Sequence, residues 1–589
     1  MDTQTLQAEI TAITQETAQL ENGAAQAIVT RLLNLLERVV EENVSLEKER
    51  QELRDEINRM KGEEGKPNIK ASKKIGVDIS SEAERKEAEA KANGDSGDGS
   101  PNPNEKKERQ REPKLRKIKI DREQICPLDK DGLPEDLEFK GYEEVVVQNI
   151  IIKTDNVKYL REVYYSPSER KSYLGALPKE VHDKGEFGPG VRALIPILKT
   201  EGNMSEKRIL GFFQNFGVEI SPAYISQQWT GGYELFHQEK SDLYRAGLAA
   251  EDYAQIDDTS ARVNGINHYC QVVCNRWFTA YFTTEAKDRR TVLGVLTDNA
   301  PPQYIYDQQA RSLLDNNFKL SEKARDAVDS GLPLDVVMDD GEFAKQLAAL
   351  DLGPRQSAQI AEVCAIAYYQ QQTNFPVIET LLADDAPQFK LLTKHMGLCW
   401  VHDGRHYKKL TPIVPEHQSA LTGFRDRYWA YYAELLNYQR GPSPERKDEL
   451  SKEFDTLFAT TTGYGALDDR IAKTQSKKTE LLHVLELPEL PLHNNAAELG
   501  ARAQARARDT SYQTRSKAGT KIKDTFMSLN QTAKKLGVSF YEYVHDRVSG
   551  HFRMPSLAEI ISQRAVTDSA TPGNYRSARL AIKNQECLC

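Results

Sequence analysis

Cysteine is scarce in this chain, with seven residues in 589. That is too few for a disulfide framework in a chain of this length, and none stand as C-x-x-C, so no zinc ribbon or thioredoxin-like motif is written into the sequence. Long apolar runs are also missing, since nowhere do about 18 apolar residues follow one another, which argues against a membrane-spanning helix. The opening residues lack a secretory h-region, so the expected compartment is the cytoplasm, with nucleoid association if DNA is the partner. An overall basic excess is absent too, the net charge being -9. A chain coated in positive charge is thereby excluded, but local patches are not. Two such patches occur: NEKKERQREPKLRKIKIDR at 104–122, and the stretch from Arg502 to Lys523.

Apolar residues make up 39% and charged residues 28%, enough to build several cored units in a chain of this size. The pattern predicts a multidomain α+β protein. Residues 1–65 read as helical. Within them Leu32, Leu36, Val39, Asn43, Leu46, Arg50, Leu53, Ile57 and Met60 recur at alternating spacings of four and three, a heptad seam with a polar register residue at Asn43. Such a seam predicts a homodimer or higher oligomer through a coiled coil; the alternative is one long helix packed on its own protein. Residues 66–121 are polar, charged and rich in Gly and Pro, the composition of a flexible linker.

Residues 122–185 predict a small β-rich module, from the β-branched runs in EEVVVQNIIIKTDNVKYLREVYYSP. Cys126 has no partner at metal-ligand spacing there, so the module is expected to lack zinc. In residues 186–250, the stretch at 188–232 predicts three short helices, with Ser205 and a helix start near Ser221, in the rhythm of a helix-turn-helix that contacts duplex DNA.

Residues 251–550 carry the chemistry. YAQIDDTSARV, HYCQVVCN and WFTAYFTTE predict three consecutive strands, with Asp257 and Asp258 on the first. Neighbouring strand residues point to opposite faces, so only one of these two aspartates can join residues of other strands in a site. Helical insertions are expected near 299–375 and 411–488. VIETLLADDAPQF predicts a strand ending at Asp384 and Asp385, followed by GLCWVHDGRHYKKL as another short strand leading into polar residues. Carboxylates at neighbouring strand ends, completed by one from a later helix, are what divalent-metal catalysis of phosphoryl transfer needs; the plain alternative is a set of surface turn aspartates. Cys399, His402 and His406 have C-x2-H-x3-H spacing and are a candidate soft-metal set. Lys408 and Lys409 are candidate DNA-backbone contacts, as are His402 and His406. Cys270, Cys274, Trp277 and Trp429 read as packing residues. Residues 551–589 are expected to be a C-terminal tail.

These motifs resemble, in order and over most of residues 28–550, the IS66-type insertion-sequence transposases, DDE enzymes with a ribonuclease-H-like catalytic core. IDDTSARVNG matches the family's first acidic motif at Asp257, with Asp258 where glutamate is usual. LLADDAPQF matches the second at Asp384, with Asp385 where glycine is usual, which leaves Asp385 as the competing second acid. HNNAAE, residues 493–498, matches the third at Glu498, with His493 where aspartate is usual. The family's zinc-ligand set before the helical region is absent, and residues 299–375 look like an insertion. The resemblance implies that Asp257, Asp384 and Glu498 bind two Mg²⁺ ions, with Mn²⁺ able to substitute. It implies cleavage at element ends and strand transfer into target double-stranded DNA, with accessory transposition proteins among the partners and no membrane. Arg502 and Arg506, at i+4 and i+8 from Glu498, lie near its helix face and are candidate phosphate contacts. Asn494 and Asn495 are expected to cap that helix. Rival readings are an inactive or nuclease-only relative that binds DNA, and a coiled-coil structural protein.

Overall fold

The computed structural model describes residues 23–60, 86–87, 90, 120–128, 141–143, 145–150, 152–178, 187–318 and 320–569. Most of the expected linker at 66–121, the basic run at 104–119 and the last twenty residues fall outside that set. The molecule is mixed helix and sheet, as the α+β reading expects.

Helix α1 (Gly23–Met60) is one continuous helix. Its seam residues Leu32, Val39, Leu46 and Leu53 are exposed on the single chain. A different side of the helix docks. Glu37 is buried and accepts hydrogen bonds from the amides of Ile413 (2.9 Å) and Val414 (3.0 Å) and meets His417 Nδ1 at 3.0 Å. One turn earlier, Asn34 donates to Gly463 O (2.8 Å) and accepts from Gly465 N (2.7 Å). Both readings of the seam therefore meet here, since the helix packs on its own protein and still presents apolar side chains outward.

In the expected β-rich module only a short hairpin forms among the described residues, β1 (Val163–Ser166) with β2 (Lys171–Leu174). The apolar run at 145–150 is without regular structure, and Val145, Val147 and Ile150 are exposed. β-branched residues form strands when a partner strand and a buried face receive them, and among the described residues neither is at hand. The three helices expected at 188–232 are α2 (Pro189–Thr200), α3 (Glu206–Asn215) and α4 (Pro222–Thr230). Ser205 and Ser221 cap α3 and α4 by accepting from the amides three residues on. α5 (Glu234–Ala249) follows.

The centre of the molecule is a five-stranded mixed sheet in the order β5-β4-β3-β8-β9. β3 (Tyr253–Val263), β4 (Ile266–Cys274) and β5 (Thr279–Thr284) form an antiparallel meander, and β8 (Thr380–Ala383) and β9 (His395–Leu398) run parallel to β3. The strand alternation divides the side chains cleanly. Ile256, Val273 and Ala280 join the main apolar core with Tyr244 of α5 and Phe526. Asp257, Val272 and Tyr281, aligned across the three strands, occupy the opposite face.

The crossover from β5 to β8 carries α6 (Arg289–Leu296), the two-stranded β6 (Gln303–Ile305) and β7 (Val337–Asp339), α7 (Gln308–Asn317), α8 (Glu322–Gly331), α9 (Asp340–Ala349) and α10 (Pro354–Gln371). It has its own core around Tyr304, Phe343 and Ile360. After β9 come α11 (Trp400–Lys408), α12 (Pro415–Arg440), α13 (Pro444–Phe458), α14 (Gly465–Gln475) and α15 (Lys478–Leu481). Their aromatic core, with Trp400, Tyr428, Trp429 and Phe454, is separate again. The tyrosines and tryptophans of this insertion are mostly buried, so they pack rather than offer stacking platforms.

The chain returns through α16 (Asn495–Ser511), α17 (Lys517–Leu536) and α18 (Phe540–Val548). The expected C-terminal tail needs correction: α19 (Leu557–Ser569) packs on α5, with Leu557 and Ile561 buried in the main core. Its apolar residues find a partner only because α5 and α17 leave a groove that a one-dimensional reading does not display.

Candidate active site: three acids on three elements

Asp257 and Asp384 are brought together by strand register. β3 and β8 pair in parallel, with Gln255 opposite Leu382. Asp384 follows directly after the end of β8 at Ala383, and its charge acts on the Asp257 carboxyl across that parallel pair. The third acid arrives on α16. Asn494, only 1% exposed, donates from Nδ2 to Ile256 O at 2.7 Å and from its backbone amide to Cys399 Sγ at 3.2 Å. Trp400 N also donates to Leu492 O at 3.0 Å. The start of α16 is thus stitched both to the residue before Asp257 and to the start of α11. The expected side-chain cap by Asn494 is not made: its amide is used on the strand instead, a tie between distant segments that local capping rules do not contain.

Gly500 sets the depth of the helix. A Cβ there would meet Val272 Cγ1 at 2.7 Å, and Tyr281 Oη donates to Gly500 O at 3.1 Å. The missing side chain lets α16 lie close on the Asp257 face of the sheet, and Glu498 is carried in with it.

The electrostatics reflect the convergence. Burial, then the nearby Asp384, push the Asp257 carboxyl up to about 7, with Glu498 and Asp258 adding to the effect. Among the described residues its compensating bond is from the amide of Asp258, which donates to Oδ1 at 2.9 Å. Asp384 accepts from Ala386 N at 3.1 Å. The Glu498 oxygens are divided: Oε2 faces Arg405 (3.2 Å) and Arg502 (3.9 Å), and Oε1 faces His402 Nε2 (3.5 Å).

Asp258 and Asp385 have other work. Asp258 meets Lys287 at 3.4 Å and accepts from Gln388 Nε2 at 2.9 Å. Asp385 is clamped by Lys390 (2.7 Å) and Lys477. Burial acts to raise its pKa, but the two lysines hold it below the ordinary carboxylate range. Between the adjacent aspartates, Asp384 is the one that Asp257 feels.

The histidine segment is a helix, α11, and that rearranges the expected soft-metal set. Cys399, His402 and Glu498 have ligand atoms all within 4.8 Å of one another. His406 is not in that group. Loss of solvent around its ring, then Arg470, Lys409 and Lys477, push its pKa down to about 4. With α11 helical, His406 lies a full turn beyond His402, displaced along the axis by about 6 Å. Arg506 and Lys409 are exposed, Lys408 is half-buried, and Arg502 leans weakly toward Glu498. Arg405 was not singled out by the sequence reading. Its signal is the i,i+3 spacing from His402, which places both on one face once the segment is known to be helical.

No protein-family model matches the chain. It is similar to the uncharacterized protein y4jO of Sinorhizobium fredii (strain NBRC 101917 / NGR234), at 31% identity over 327 residues, which cover 55% of this chain and 100% of that relative.

Proposed function

We propose that this chain, which belongs to the family of y4jO, is a DDE transposase with a ribonuclease-H-like core that cuts DNA at element ends and joins them to target DNA. The observation that carries the reading is the convergence of Asp257, Asp384 and Glu498 from a central strand, its parallel neighbour and a returning helix. The elevated proton affinity of Asp257 marks negative charge that the protein itself leaves uncompensated.

All-carboxylate donors suit a hard divalent cation with water completing its shell. Asp257, Asp384 and Glu498 would hold Mg²⁺, as a pair of ions, with Mn²⁺ able to substitute. Bound there, such ions lower the pKa of an attacking oxygen and stabilise charge on the leaving one. Asp257 must release its proton to take part. Arg405 orients Glu498 through Oε2. No side-chain nucleophile is needed. Arg502, which faces Glu498 at 3.9 Å, and the exposed Arg506 and Lys409 would supply positive charge for DNA phosphates. The exposed seam of α1 supports pairing with a second copy.

The test is a cleavage and joining assay with Mg²⁺ on duplexes carrying the DNA that borders the gene, comparing wild type with Asp257→Asn, Asp384→Asn and Glu498→Gln. Folded variants should retain duplex binding and lose most product. Undiminished cleavage and joining in all three would overturn the assignment.

A further inference from the structure

We propose that Cys399, His402 and Glu498 form a binding site for one borderline or soft divalent cation of the Zn²⁺ type. The three contribute a sulfur, an imidazole nitrogen and a carboxylate oxygen, a donor set that zinc favours and magnesium does not. Their ligand atoms lie within 4.8 Å of one another. Tetrahedral zinc with bonds of about 2.0–2.3 Å needs ligand separations of roughly 3.3–3.8 Å. Ligand atoms up to 4.8 Å apart must approach by about 1 Å to reach that range.

The surroundings fit a cation. Glu498 keeps Oε2 on Arg405 and turns Oε1 toward His402, so one oxygen is already held and the other is directed at the proposed position. His402 turns Nε2 to the same position, 3.5 Å from Glu498 Oε1. The Asn494 amide donates to Cys399 Sγ, the kind of outer contact that steadies a metal thiolate. Cys399 also sits at the N-cap of α11, where the helix end favours a thiolate.

Without the cation the thiol is protonated: burial pushes it up to about 11, although the amides of Asn494, His402 and Val401 act the other way. Binding therefore breaks the S–H bond, sends that proton to solvent and forms the S–metal bond, with no redox change. The bound set of thiolate, neutral imidazole, carboxylate and dication is electrically neutral, which suits a site with a buried sulfur.

Glu498 is shared with the DNA chemistry proposed above. The consequence that Zn²⁺ inhibits Mg²⁺-dependent joining rests on that reading; the cation site itself does not. The experiment uses full-length protein titrated with Co²⁺ as a spectroscopic stand-in for Zn²⁺. About one Co²⁺ per chain should bind with a near-ultraviolet thiolate-to-cobalt band, displaced by Zn²⁺ but not by excess Mg²⁺. The band should vanish in Cys399→Ser and persist when Cys126, Cys587 and Cys589 are all replaced by Ser. His402→Gln should weaken binding by about 10–100-fold and shift the ligand-field spectrum, a readout that remains if Cys399→Ser folds poorly. Absence of a thiolate band in wild type, or its survival in folded Cys399→Ser, overturns the site. A band in a protein without joining activity upholds the site and counts against the transposase reading alone. Joining that proceeds undiminished at saturating Zn²⁺ overturns the shared use of Glu498.

Discussion

Two acids in this molecule are withdrawn from water and end in opposite electrostatic states. Glu37, on α1, enters the N-terminal end of α12. Burial acts to raise its pKa, but His417 and the amides of Val414 and Ile413 overcome it and hold the carboxyl below its ordinary value. Asp257 is also withdrawn, but it faces two more acids and receives one amide, and its pKa rises to about 7. Burial has the same sign in both. The donors decide the outcome. A carboxylate that the protein satisfies completely acts as a structural clamp, whereas one left in a crowd of acids holds its proton more tightly.

Breaking each acid should separate the two roles. The largest effect is expected at the acid cluster. Asp257→Asn should reduce Mg²⁺-dependent cleavage and joining by about 10³-fold or more, the equivalent of several kcal/mol of charge stabilisation. Circular dichroism should show the fold intact; wild-type turnover would remove Asp257 from the chemistry.

Next comes Gly500→Val. The added side chain collides with Val272 and must lift α16, and Glu498 with it. Activity should fall by about 10–100-fold, as when a supporting contact is lost, while overpacking costs about 1–3 kcal/mol in denaturant titrations. Full activity would mean that the depth of α16 does not set the position of Glu498.

Glu37→Ala leaves the Ile413 and Val414 amides without their acceptor. The expected loss is about 1–3 kcal/mol, read as faster proteolysis of α1 or a lower thermal midpoint, with the acid cluster untouched. If α1 stays equally protected, the dock is not what holds it.

A further measurement distinguishes the two acids by pH. Asp257 has a folded pKa of about 7 against about 3.9 unfolded, so the folded state binds more protons between these values. Stability contributed by its protonation is present below about pH 4 and is lost as pH rises through 7. In Asp257→Asn, metal-free stability should fall less between pH 5 and 8 than in wild type. Glu37 has the opposite sign: its lowered pKa contributes stability above about pH 4.3, lost as the solution is acidified. Glu37→Gln should flatten the acid side only. The two pH–stability curves, measured without metal, test both signs together.

The local signals were legible. Period-two patterns in YAQIDDTSARV and its neighbours gave the meander, and the caps at Ser205 and Ser221 gave two helix starts. The strand alternation also said in advance that Asp257 and Asp258 could not share a site. Less legible were features that depend on partners far along the chain. The helix at 400–408 carries a short polar pattern that supports more than one reading, and its place is set by the Trp400 amide bonding to Leu492. Residues 557–569 looked like a tail because the groove that buries Leu557 and Ile561 is made by other helices.

The sequence by itself determined which residues could do chemistry and which face of each element they share, because both follow from side-chain type and backbone period. Asp257, Asp384 and Glu498 were pointed to only by the family resemblance of their motifs, which the acid spacing alone does not supply. Only the tertiary structure gave Lys390 and Lys477 to Asp385 and left Asp384 acting on the Asp257 carboxyl. It alone set Glu498, rather than His406, beside Cys399 and His402. The physical reason is common to both: a carboxylate's role depends on what lies within a few Å of it, and that neighbourhood is assembled here by strand register, the Asn494 tie and the absent side chain of Gly500.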